Sequence, residues 1–226
     1  MAAGSGEVTR ITGGWRPLRA AGSCESRKMA TDLRLVVQNL LDFYPFAGKT
    51  VVSVGAGGGQ LVEYGREARR VVAVDSDVEA LRRLADVLGA KGLAERFELV
   101  CSDFLDVTAR GDVVLFEFSL HEMPDPERAL AHARTLAPDV VVHDHPPRAE
   151  WAGHVVEEEK VKRSAEAMRR LGVRAERRFL GEQRFADHAE LLAKVSGQGP
   201  LAVERAERFR GASDIVIPFG YEVALL

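Results

Sequence analysis

Five short apolar runs alternate with helical patterns over the first two-thirds of this chain, and that alternation limits its possible folds more than any other feature. The runs are residues 50–54, 71–75 (VVAVD), 97–103 (FELVCSD), 112–118 (DVVLFEF) and 139–145 (DVVVHDH). A run that is apolar at every position must be covered on both faces. Between the runs, apolar residues recur at helical spacing. Leu33, Val36, Val37, Leu40 and Leu41 share one face of a helix that Thr31 or Asp32 can cap and Pro45 ends. A short helix is expected over 60–68. Asp77 caps a helix with Leu81, Leu84, Ala85 and Leu88 on its apolar face, closed by Gly89. Asp125 caps another, with Pro126 at its first position. Right-handed crossovers then give an α/β, doubly wound, mostly parallel Rossmann-like sheet of seven strands.

The last third changes character. Residues 155–171 read as one long helix with Glu158–Lys162 and Glu159–Arg163 pairs. Residues 177–185 read as a short strand and loop, and 187–195 as a helix. Residues 201–209 and 213–226 read as two strands joined by a tight turn at Arg210–Gly211–Ala212, an antiparallel C-terminal hairpin. Residues 146–198 form a helical elaboration on the substrate side of one domain spanning 30–226. Residues 1–29 are rich in Gly, Ala, Ser and Arg, and Met29 itself resembles a natural start. They are expected to be a flexible extension, or a lid anchored by Trp15.

At 226 residues and net charge −3, the chain shows no electrostatic bias toward nucleic acid or an anionic membrane. It has no apolar run long enough to span a bilayer. Two cysteines, Cys24 and Cys101, do not make a disulfide framework, which suggests a reducing cytoplasm. The expected partner is a small molecule rather than nucleic acid or membrane, with a homodimer possible.

Directly after the first run, VVSV, four glycines fall at Gly55, Gly57, Gly58 and Gly59. A glycine turn after a strand lets a ligand approach the backbone and the next free N–H groups. Asp75 ends the second run twenty residues after Gly55, where a carboxylate accepts from ribose hydroxyls. Together they read as a nucleoside site. The dinucleotide pattern G-x-G-x-x-G fails in both registers, because Gln60 and Val62 stand where its third glycine belongs. That disfavours a nicotinamide-dependent oxidoreductase. The pattern that fits is G-x-G-x-G, at Gly55, Gly57 and Gly59.

Over residues 31–145 these elements resemble the class I S-adenosylmethionine-dependent methyltransferases of small-molecule type. The resemblance implies S-adenosylmethionine as cofactor and methyl transfer to a small acceptor. It assigns Asp75, with Ser76, to the ribose, Asp103 to the adenine amino group and Phe104 to the ring. LHEMPDPERAL resembles the L-H-H-x-P-D run that lines the transfer site. Family members usually carry an acid two positions before the first glycine, and here that position is Ser53. The departure hands the methionine ammonium group to Glu117 or to backbone carbonyls. It also leaves a non-catalytic binding module as a rival reading.

Methyl transfer from a sulfonium is an in-line displacement that needs alignment foremost. A base is needed only when the acceptor must lose a proton. His121, Glu117 and His145 are the candidates for catalytic roles, with Glu122, His143 and Asp144 nearby. Alternation puts His143 and His145 on one face, where a metal with His121 or Glu122 is conceivable; with no recognised ligand spacing, no metal is expected. Trp151 is a wall of the acceptor pocket or a cover for the core. Arg169, Arg170, Arg174, Arg177 and Arg178 read as a solvated surface, with anion recognition as the alternative.

Overall fold

The strand order places the ends of two neighbouring strands side by side, and that junction is where the site forms. In the computed structural model, which describes residues 9–10 and 33–226, eight strands make one sheet. They are β1 (Thr9–Arg10), β2 (Thr50–Val54), β3 (Arg70–Asp75), β4 (Phe97–Cys101), β5 (Val113–Glu117), β6 (Asp139–Asp144), β7 (Ala175–Asp187) and β8 (Ser213–Leu225). Their order is β1-β4-β3-β2-β5-β6-β8-β7. Seven of them form the expected sheet, and two-residue β1 pairs antiparallel along the free edge of β4. From β2 the chain builds outward through β3 and β4, then returns to build β5 and β6 on the other side, all parallel. The switch point lies between the carboxyl ends of β2 and β5.

Strand alternation sends side chains into two layers. On one face Val52, Val54, Val72, Val74, Val114, Phe116, Val140 and Val142 pack with α3 (Pro126–Leu136) and α5 (Glu158–Leu171). On the other, Val51, Val71, Val113, Leu115 and Val141 pack with α1 (Leu33–Phe43) and the fully buried Tyr64. Each such side chain contributes about 1.5–3 kcal/mol through burial.

Several local expectations are corrected. Helix α2 (Val78–Lys91) starts at the Asp77 cap, whose carboxylate accepts from Glu79 N–H. It runs through Gly89 and ends at Gly92, which has φ +66° and can adopt that conformation without Cβ strain. The helix expected over 155–171 is α5, which starts at Glu158, and a separate short helix, α4 (Glu150–His154), precedes it. Val156 turns left-handed at φ +58°, and Glu157 N–H closes back onto the Ala152 carbonyl. Glu158 pairs with Arg205 rather than Lys162, and Glu159 meets Lys162 rather than Arg163. Such i,i+4 pairs are worth only about 0.2–0.5 kcal/mol, too little to hold a side chain against another partner such as Arg205.

Residues 201–209 are not a strand. They lie in α7 (Pro200–Ala206) and a short 3₁₀ turn, with Ala202 and Ala206, four apart, both fully buried. The antiparallel partner of β8 is therefore β7, which runs thirteen residues from 175. The segment between them holds α6 (His188–Val195) and α7. The turn at Gly211, φ +77°, joins the 3₁₀ turn to β8. Thr31, Asp32, Trp15 and the proposed lid lie outside the described residues.

Candidate active site

The loops that follow β2 and β5 meet at the switch point. Gly55, Gly57 and Gly59 have φ of +69°, +50° and +77°. At Gly55 a second constraint applies, because a Cβ there would stand 2.3 Å from Ser119 Cβ. Ser119 is held in place by donating its hydroxyl to the Val54 carbonyl at 2.6 Å. A cleft of about 450 Å³ opens beside this contact. Its walls include Gly55, Asp75, Ser76, Asp103 and Phe104, together with Phe118, Ser119, Glu122 and Met123.

Asp75 organises the loop as well as facing the cleft. Its carboxylate accepts from Gly57 N–H at 3.0 Å and Asp77 N–H at 2.9 Å. Two further acceptor positions remain on its oxygens. Asp103 accepts from Leu105 N–H with one oxygen and stands at the rim. Phe104 is buried edge-on between Phe116 and His132.

Ser53 and Glu117 do not line this cleft. They sit beneath it on the Tyr64 face of the sheet. Ser53 is fully buried and donates its hydroxyl to Glu117 Oε1 at 2.5 Å. Tyr64 donates to the same oxygen at 2.6 Å. Burial outweighs these two donors and lifts the Glu117 pKa to about 7. The carboxylate missing at position 53 thus reappears one strand away, with Ser53 as its hydrogen-bond donor.

His121 is 3% exposed. Asp144 Oδ1 meets its Nδ1 at 2.5 Å, and Asp144 Oδ2 accepts its backbone N–H at 3.1 Å. Its Nε2 faces Glu122 Oε1 at 3.5 Å and Glu157 Oε2 at 3.6 Å. Burial opposes the charged ring, but the three surrounding carboxylates prevail and push its pKa up to about 11. An imidazolium of that kind holds its proton near neutral pH and has no lone pair to offer as a base.

His145 has the opposite character. Its Nδ1 lies 3.1 Å from the Gly220 carbonyl, which makes that nitrogen the N–H donor. Burial pushes its pKa down, so the ring is neutral and Nε2 keeps its lone pair. His143 is fully buried beside Phe118 and Tyr221, neutral, with a pKa lowered to about 3 by burial. Neither ring nitrogen of His143 finds a hydrogen-bond partner.

Phe118 has a backbone φ of +50° and joins two spaces. It lines the cleft, and it also lines a smaller cavity of about 160 Å³ with His145, Val36, Leu61 and Phe219. Composition and spacing gave no signal for its role, since an aromatic residue after a strand is ordinarily core. Trp151 covers the core, stacked on Phe185. Of the arginine group, Arg170, Arg174 and Arg178 are paired with Glu127, Asp139 and Glu222 respectively, and Arg177 lies over the Phe43 ring.

A parallel sheet with this switch point, a glycine loop after β2 and an acid after β3 define a class I nucleoside-cofactor domain. Residues 52–142 match the family described as "Methyltransferase domain". The matched stretch runs from β2 to β6 and holds the glycine loop, Asp75, Asp103 and Glu117. Solved structures show the same fold at low identity. A methyltransferase dependent on S-adenosylmethionine from Aquifex aeolicus is 17% identical, with 86% of this chain and 89% of that one aligned at TM-score 0.54. Magnesium protoporphyrin IX methyltransferase from Synechocystis, with its cofactor bound, is 13% identical over 85% and 77% at TM-score 0.52. A candidate RNA methyltransferase from Pyrococcus horikoshii is 17% identical over 85% and 81%, also at 0.52. No curated protein matches the chain in sequence.

Proposed function

We propose that this enzyme methylates a small-molecule acceptor seated beside the cofactor cleft, with His145 accepting a proton where the acceptor must lose one. The observation that carries this reading is the shared Phe118 wall, which sets a cavity of about 160 Å³, apolar at Val36, Leu61 and Phe219 and polar at Gln60, Gln183 and Lys194, directly against the cleft. A cavity of that size, with His145, two amides and Lys194 on its wall, suits a compact acceptor that carries a polar group on an apolar body. Lys194 is the one cation on its wall, too few to track a phosphate backbone.

In this reading Asp75 and Ser76 hold the ribose, and Asp103 and Phe104 frame the adenine. Gly55, Gly57 and Gly59 let the methionine part lie against the backbone. Glu117 supplies the negative charge for the ammonium group, held by Ser53 and Tyr64. Phe118 and Met123 keep water from the sulfonium. Alignment of acceptor and methyl can contribute roughly 7–11 kcal/mol.

The test is transfer from labelled cofactor into a fractionated extract. Label is expected in the small-molecule fraction. Once an acceptor is isolated, His145→Ala should lower kcat by about 10²- to 10⁴-fold with cofactor affinity unchanged. Label confined to RNA or protein overturns the acceptor class. A His145→Ala variant with full activity removes the base.

A further inference from the structure

His121 and the adjacent Glu122 meet Glu157 from a later part of the chain, and the three present one nitrogen and two oxygens to a common point. Glu122 stands in the turn after β5, and Glu157 at the junction of α4 and α5. One donor atom from each lies within 4.8 Å of the others. We propose that these three residues hold a divalent transition-metal ion of the zinc class at the mouth of the cofactor cleft.

The first argument is distance. Nε2 of His121 lies 3.5 Å from Glu122 Oε1 and 3.6 Å from Glu157 Oε2. An N–H···O hydrogen bond spans about 2.7–3.2 Å, so neither carboxylate is well placed to accept a proton from this ring. Ligand atoms bonded at about 2.0–2.2 Å to a tetrahedral ion lie about 3.3–3.6 Å apart, which is the spacing of His121 Nε2 from each carboxylate.

The second argument is orientation. His121 Nε2 is the only ring nitrogen left for a ligand, because Asp144 Oδ1 engages Nδ1 at 2.5 Å. The same carboxylate also accepts the backbone N–H groups of His121 and His145. Asp144 is therefore committed to fixing the ring. A carboxylate behind an imidazole, setting its tautomer and aim, is the usual support of a metal-bound histidine. His121 is 3% exposed, so its aim is held by packing as well.

The third argument is chemistry and place. Imidazole with carboxylates suits zinc, cobalt, manganese or iron rather than calcium or magnesium. Three carboxylates face one histidine and Lys160, which donates to Glu122 Oε2 at 2.6 Å. A dication that displaces the Nε2 proton to solvent, leaving a neutral imidazole as its ligand, brings that group to electrical balance. Three protein ligands leave a fourth position open. Glu122 also lines the cofactor cleft, so that position borders the space where methyl transfer is proposed. Water or an acceptor oxygen is the ligand of matching chemistry there.

The experiment uses the full chain, stripped with chelator and titrated with Zn²⁺ and with Co²⁺, the bound metal being counted by elemental analysis. One equivalent is expected, with the visible absorption of four-coordinate cobalt. Glu122→Gln is partly exposed and should fold normally; it and Glu157→Gln should each lower affinity at least tenfold. Asp144→Asn should lower it about 10- to 100-fold. Binding of S-adenosylhomocysteine, measured on the same samples, is expected to persist in Glu157→Gln and Asp144→Asn, neither of which lines the cleft. Its loss would bear on the cofactor site and not on this one. No stoichiometric uptake, or uptake unchanged in both glutamate variants, overturns the metal site.

Discussion

At the residue scale, Glu117 carries the clearest coupling between stability and function. Its folded pKa of about 7 lies above the unfolded value of 4.5, because burial outweighs the Ser53 and Tyr64 donors. Between those two pH values the folded state binds more protons than the unfolded one, so stability falls as pH rises through that window. Glu117→Gln should therefore flatten the apoenzyme's stability profile and raise its melting temperature at pH 8, as read by calorimetric scans. The same variant should bind S-adenosylhomocysteine more weakly. In the parent, binding near pH 7 should release a fraction of a proton, seen by titration in buffers of different ionisation enthalpy. Zero release would remove Glu117 from the ammonium site. Asp75→Ala makes a simpler prediction. Losing hydrogen bonds to a charged acceptor worth roughly 1.5–3 kcal/mol should cut cofactor affinity about 10- to 100-fold in a folded protein. Unchanged affinity by calorimetry would exclude the ribose role.

At the element scale, two glycines three residues apart in α2 do opposite things. Gly89 lies inside the helix with open space around its missing Cβ. Gly92 holds the left-handed cap at φ +66°. Gly89→Ala should stabilise the protein by about 0.5–1 kcal/mol through helix propensity. Gly92→Ala should destabilise it by about 1 kcal/mol through backbone strain. Denaturant midpoints for the pair decide the point, and equal effects would mean that the helix ends at Gly89 after all. Gly55 is a harsher case, since substitution meets Ser119 Cβ at 2.3 Å as well as a positive φ. Gly55→Ala should disturb the glycine loop and abolish cofactor binding, and Ser119→Gly should restore only part of it.

At the scale of the whole molecule, the cleft proposed for the cofactor is walled by the loops after β2, β3, β4 and β5. A ligand specific to the native state at 100 times its dissociation constant adds about 2.7 kcal/mol. For a chain of this length that corresponds to a melting shift of roughly 5–10 °C. S-adenosylhomocysteine should produce it and NAD should not. A shift with NAD alone would contradict the assigned cofactor. Among the described residues, no helix is long and apolar enough to cross a membrane.

The sequence by itself determined the parallel core. Strands β2, β3, β5 and β6 are apolar along both faces and so must be covered twice, whatever surrounds them. The glycine loop and Asp75 were equally legible, because positive φ and a carboxylate at a strand end leave local marks in the sequence. Residues 201–209 were not legible. Their short apolar pattern suits a strand or a helix, and burial of Ala202 and Ala206 together decided for the helix. Pro200 at the first helical position was the one local hint. The meeting of Ser53 with Glu117, and of His121 with Asp144 and Glu157, depends on contacts between residues 23 to 64 positions apart. Only tertiary structure brings such groups together. Charges buried side by side then reset one another's proton affinity, which makes His121 a held cation as long as no metal ion takes its proton's place and leaves His145 neutral.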